Sequence, residues 1–130
     1  MAKILIIDDE STILELFRFI FDDAGHDVRL AKNGREALDA IRESVPDFMV
    51  LDINMPEMSG REFAIELKRL AAHDPRLKNI PFVVMTDQNF MVVDLNSVFT
   101  STPGFLCFFP KMTPPVRVLE KATEVLKTRG

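Results

Sequence analysis

Four apolar runs limit what this chain can fold into: Ile4-Leu5-Ile6-Ile7, Phe48-Met49-Val50-Leu51, Phe82-Val83-Val84-Met85 and Phe105-Leu106-Cys107-Phe108-Phe109. Each is too short for a buried helix and lacks the alternation of a half-exposed strand, so each predicts a strand covered on both faces. A shorter strand is expected over 27–31. Amphipathic spacing between the runs predicts helices. The first follows a Ser11 cap and ends at Gly25, with Ile13, Leu16, Phe17, Ile20 and Ala24 facing inward. Its flank of Leu14 and Phe21 suits either deep burial or a docked partner helix. The second follows the Asn33-Gly34 turn, over about 35–43, with Ala37, Leu38 and Ile41 inward. The third, over 61–70, turns Phe63, Leu67 and Leu70 inward, with Ile65 at the margin. A last helix, capped by Thr113 and admitting Pro114 and Pro115 in its first turn, turns Val116, Leu119, Ala122, Val125 and Leu126 to the sheet. Strands alternating with helices in this rhythm predict an α/β fold, a doubly wound five-stranded parallel sheet with right-handed crossovers and helices on both faces.

Two stretches fit the rhythm less well. Residues 71–81 are polar and bounded by proline, and are expected to form a surface connection. Residues 88–102 carry one charge, Asp94, in a mostly apolar run. They are expected to form a fourth helix, although Val92, Val93, Val98, Thr100 and Thr102 are mediocre helix formers. The apolar density from Phe90 to Phe109 suits either extra core or an exposed patch for self-association or a partner.

A chain of 130 residues is expected to be one domain, 1–130, with a core that needs no staples. Its net charge is −4, with both signs interspersed, which argues against direct nucleic-acid binding. The one cysteine, Cys107, is expected to be an inert buried thiol in a reducing compartment. The N-terminal apolar run is too short for a signal-peptide core and no run reaches membrane-spanning length, so a soluble cytoplasmic protein without membrane insertion is expected. His26 and His73 are read as surface residues.

The apolar runs end in chemistry. In DFMVLDINMPEMSG, Asp52 closes the strand and Met55-Pro56 and Ser59-Gly60 are turn signals, so the carboxylate should project at the strand's carboxyl end. Ligands of open α/β sheets bind at that edge. Asp8 and Asp9 follow the first run, Thr86 the fourth strand and Lys111 the fifth. Clustered carboxylates repel one another and need a cation. Hard oxygen ligands select Mg²⁺, which favours one or two carboxylates together with a phosphate oxygen. Lys111 and Thr86 suit a phosphoryl group, yet neither GxGxxG nor GxxxxGK[ST] occurs, which argues against a bound nucleotide. A carboxylate facing a metal and a cation can itself be the nucleophile and carry an aspartyl phosphate.

The acidic pair, the DxNMPxMxG string, the threonine and the lysine together resemble the receiver domain of bacterial two-component response regulators, over about residues 3–127. The resemblance implies a phosphoacceptor at Asp52, not a turnover enzyme on an external substrate. It further implies Mg²⁺ held directly by Asp9 and Asp52, through water by Asp8, and by the backbone carbonyl of Asn54. Lys111 would pair with the phosphoryl group, and Thr86 and Phe108 would form the switch pair. The implied partners are a sensor histidine kinase or phosphotransfer protein and a downstream protein target. The target, or a second copy in a homodimer, would engage the face of the fourth helix, fifth strand and fifth helix. Two neighbours depart from the family pattern. Asp87 stands where a small residue is usual, and Met112 follows the lysine where proline is usual, which predicts a trans bond with a reshaped loop or a strained one. The rival readings are a receiver-shaped interaction module with impaired phosphorylation, a haloacid-dehalogenase-like phosphatase and a flavodoxin-like carrier. The phosphatase would need an acid where Asn54 stands, and the carrier a Ser/Thr/Gly loop where Asp-Asp-Glu follows the first strand.

Overall fold

The computed structural model describes residues 2–53, 55, 57–86 and 98–129. Five parallel strands, β1 (Lys3–Ile7), β2 (Asp27–Ala31), β3 (Phe48–Asp52), β4 (Phe82–Thr86) and β5 (Phe105–Pro110), lie side by side in the order β2-β1-β3-β4-β5. The connections run outward in opposite directions from β1 and β3, so a crevice forms between their carboxyl ends. Asp8 follows one of these strands and Asp52 closes the other.

Pleating sends alternate side chains to two separate cores. Leu5, Ile7, Met49, Leu51, Phe82 and Val84 pack with α2 (Gly34–Glu43) and α3 (Gly60–Ala71). Ile4, Ile6, Phe48, Val50, Val83 and Met85 pack with α1 (Ser11–Asp23) and a C-terminal helix (Pro115–Arg129). The α3 start is fixed by a reciprocal cap in which the Ser59 hydroxyl accepts from the Glu62 N–H and the Glu62 carboxylate accepts from the Ser59 N–H.

Several expectations shift. In α1 the buried stripe is Leu14, Phe17 and Phe21, whereas Leu16 is 45% exposed and Ala24 lies outside the core. Both flanks of this helix are apolar, and the rotation that buries two phenylalanine rings removes the most apolar area from water. Ser11 is the first helical residue, not the cap; Glu10 holds the cap position without a side-chain bond. In the C-terminal helix Val118 and Ala122 are buried, while Val116 is 51% exposed. The connection after α3 contains a 3-10 turn (Pro75–Leu77) and sends Leu77 and Ile80 into the core, so it is not merely a surface link. His26 is part-buried: its Nδ1 accepts from the Ala2 N–H and its ring lies 6.1 Å from that of Phe21. His73 is exposed. The helix expected over 88–102 lies mostly outside the described residues, which resume in a helical turn at 98–100 with Phe99 fully buried.

A register shift places one extra residue in β5 between Phe105, opposite Phe82, and Cys107, opposite Val83. This bulge resets the alternation, so Phe105 and Phe108 share the α2/α3 face while Leu106, Cys107 and Phe109 take the other. Cys107 is half-buried, not buried as expected, and that burial pushes its thiol up. Among the described residues no helix is long and apolar enough to cross a membrane.

Candidate functional site

The strand ends bring the expected residues together. Asp52 is 1% exposed, and Lys111 Nζ stands 3.2 Å from its Oδ1. Apart from this ion pair, neither Asp52 carboxylate oxygen has a hydrogen-bond partner among the described residues. Buried acceptors are normally satisfied, so these oxygens are unusual for a carboxylate this deeply covered. Burial first, then the neighbouring Asp8, pushes the Asp52 carboxyl up to about 7 against the pull of Lys111. Asp8 is also raised, chiefly by burial. It is 4% exposed, and its Oδ1 accepts from the Glu10 N–H at 2.9 Å. Burial works against the Lys111 charge, but Asp52, Asp8 and Glu10 outweigh it and hold the ammonium above its ordinary value.

Asp8, Asp9 and Glu10 offer three carboxylate oxygens within 4.8 Å of one another. Glu10 is the residue sequence reasoning passed over: its Oε1 lies 3.6 Å from Lys111 Nζ, giving the lysine two anionic partners. The signal available was the unbroken acidic run at 8–10, of which only the first two acids were taken for the site. Asn54 and Asp87 lie outside the described residues.

Lys111 is placed by its own backbone, whose N–H donates to the Thr86 carbonyl at 2.7 Å as β5 leaves the sheet beside β4. The Lys111–Met112 bond is trans, and the chain turns so that the Thr113 N–H donates to the Pro110 carbonyl at 2.9 Å. The Met112 side chain is 84% exposed. A groove of about 260 Å³ opens beside the site between α1 and this turn, lined by Asp8, Glu10, Leu16, Lys111, Met112 and Pro114 among others.

Thr86 and Phe108 occupy one sheet face on adjacent strands, because Phe108 pairs with Val84 and Thr86 is two residues beyond Val84. The Phe108 ring meets Phe99 edge-on at 6.0 Å and Phe105 at 4.8 Å.

Residues 4–101 match the family model described as the response regulator receiver domain. The chain is 36% identical over 84 residues to the polar-differentiation response regulator DivK of Brucella anthropi, an alignment spanning 65% of each protein. In structure it is similar to the chemotaxis protein CheY4 of Vibrio cholerae, with TM-score 0.80 and 28% identity over 96% of this chain and 98% of that one. It is also similar to the signal receiver domain of a histidine kinase from Syntrophus aciditrophicus, with TM-score 0.81 and 26% identity over 98% of this chain and 92% of that one.

Proposed function

The chain belongs to the response regulator receiver family of two-component signalling, and we propose that it works as a phosphoacceptor whose nucleophile is Asp52. The observation carrying this reading is a fully buried carboxylate with no hydrogen-bond partner among the described residues, paired to a lysine and crowded by other acids. Burying and crowding such a carboxylate costs stability that the Lys111 pair only partly offsets, which supports a site kept for chemistry.

The donor set fits Mg²⁺: hard oxygens only, two buried carboxylates with raised affinity for protons, and Asp52 oxygens with no partner among the described residues beyond the Lys111 ion pair. Asp9 and Asp52 would hold the ion directly, Asp8 through water, with the Asn54 carbonyl completing the set. Bound Mg²⁺ supplies positive charge that lets the acids ionise together and neutralises phosphoryl oxygens. One Asp52 oxygen attacks the phosphorus of a kinase or phosphotransfer protein's phosphohistidine; the P–N bond breaks and its electron pair leaves with the imidazole. Lys111 offsets the charge gathering on the phosphoryl oxygens, and the Thr86 hydroxyl donates to one of them. With Thr86 drawn toward the phosphoryl group, Phe108 repacks against Phe99 and Phe105, and a partner reads the altered surface beside β5.

Intact mass after incubation with acetyl phosphate tests this. The protein should gain one phosphoryl group with Mg²⁺ and none with chelator. Lys111→Ala should slow the gain by about 10²-fold, the scale set by removing one charge-stabilising donor. A gain that ignores Mg²⁺, or a Lys111→Ala rate equal to the parent's, would contradict the scheme.

A further inference from the structure

We propose that the Asn33-Gly34 corner is a clasp that positions the loop carrying the phosphoacceptor. This loop leaves Asp52 and ends at Gly60, the first residue of α3, whose N–H donates to the Ile53 carbonyl at 2.8 Å. That bond closes the base of the loop. The tip is held from another element: the Gly34 N–H, at the start of α2, donates to the Met58 carbonyl at 2.9 Å. Glycine is required for this approach. A Cβ on residue 34 would stand 2.6 Å from Met58 Cγ and 2.9 Å from the Met58 carbonyl oxygen.

Asn33 makes the corner rigid. It is 8% exposed, and its Oδ1 accepts from the Glu36 N–H at 2.9 Å, capping α2. The Glu36 carboxylate accepts from the Lys32 N–H at 2.9 Å, fixing the same turn from the other side. With its oxygen committed to the cap, the Asn33 amide points its N–H at Glu57 Oε2, 3.4 Å away. Glu57 has φ 64°, a left-handed conformation that costs a non-glycine residue energy and persists where neighbours impose it. The Asn33 amide on Glu57 and the Gly34 N–H on the next carbonyl are those neighbours.

Among the described residues neither Asn33 nor Gly34 hydrogen-bonds to Asp52, Asp8, Asp9 or Glu10, so both are positioning residues. They hold the tip of a loop whose base is Asp52 and Ile53, and preorganise it for a ligand. The consequence for Mg²⁺ rests on the phosphoacceptor reading; the consequence for the loop does not.

Amide hydrogen exchange, with and without Mg²⁺, separates the two in Gly34→Ala. The Gly60 amide should exchange about tenfold faster, as expected when a local opening becomes easier, while the Ala40 and Ile41 amides of α2 keep the parent's rates. Mg²⁺ affinity, read by titration of the same amides, should fall by roughly tenfold. Unchanged Gly60 exchange in the folded variant would overturn the clasp whatever happens to Mg²⁺. Faster Gly60 exchange in a protein whose parent binds no Mg²⁺ would uphold the clasp and sink the phosphoacceptor reading instead. If Gly34→Ala does not fold, Asn33→Asp decides. It keeps an oxygen to cap α2 but replaces the amide donor to Glu57 with a carboxylate, and should speed Gly60 exchange by about threefold; an unchanged rate there overturns the proposal.

Discussion

Asp52→Asn is expected to abolish phosphoryl uptake and, in metal-free buffer at pH 8, to leave a more stable protein than the parent. The Asp52 carboxyl is pushed up to about 7 from 3.8, first by burial and then by Asp8. The folded state therefore binds a proton that the unfolded chain has already released between those values. The stability that this protonated form contributes is present below about pH 4, drains away as pH rises to about 7, and is gone above it. Asparagine carries no charge to desolvate, but it forfeits the 3.2 Å attraction to Lys111. The net gain at pH 8 should be roughly 2–3 kcal/mol, less than the shift alone would give. For a domain of this size that raises the melting temperature by on the order of 10 °C. The parent should lose melting temperature from pH 5 to pH 8. The variant should keep only a shallower slope, because Asp8 is raised for the same reason. On the proposed scheme, adding Mg²⁺ should narrow or reverse the ranking, since an ion held through Asp52 would stabilise the folded parent. Thermal melts of both proteins across that range, with and without Mg²⁺, check every part of this expectation.

Gly60→Ala should be the most damaging small substitution near the site. A Cβ there would lie 2.2 Å from the Asp52 carbonyl oxygen, 2.9 Å from Ile53 Cα and 3.1 Å from the Asp52 carbonyl carbon. All three are backbone atoms, so no rotamer change relieves the collision. Either the first turn of α3 lifts, breaking the Gly60 N–H bond to Ile53 and the Ser59–Glu62 cap, or β3 shifts and carries Asp52 with it. The expected cost is about 3 kcal/mol or more, at the upper end of overpacking penalties. The melting temperature should fall by on the order of 10 °C. Denaturant unfolding measures the loss. A variant within about 1 kcal/mol of the parent would mean that α3 adjusts more freely than its buried first turn suggests.

These two residues also divide what can be read in the sequence from what cannot. The strand ending at Asp52 was legible because Phe48 to Leu51 is uninterrupted apolar sequence followed by turn formers. The same pattern located Asp8, Thr86 and Lys111 at a common edge. What failed to show was anything set by contacts between elements. Both flanks of α1 are apolar, so periodicity turned Phe17 inward correctly but could not say that Leu14 and Phe21 would join it and leave Leu16 half exposed. The β5 bulge follows from packing against β4, not from local composition, and it brings Phe108 onto the face with Phe105. Asn33-Gly34 reads locally as a turn. Its second use, admitting the Met58 carbonyl, exists only because α2 and the loop before α3 meet in space. Glu10 was hidden the other way: it lies in plain view beside two site acids, but its partner Lys111 is far along the chain.

Locating the phosphoryl group tests the central claim most directly. The protein would be incubated with acetyl phosphate and Mg²⁺, reduced with borohydride to convert an aspartyl phosphate to homoserine, digested and mapped by peptide mass. The modification should fall on Asp52 alone and be absent when Mg²⁺ is chelated. Modification at Asp8, Asp9 or another acid, or none at all in protein shown to be folded, would contradict Asp52 as the phosphoacceptor.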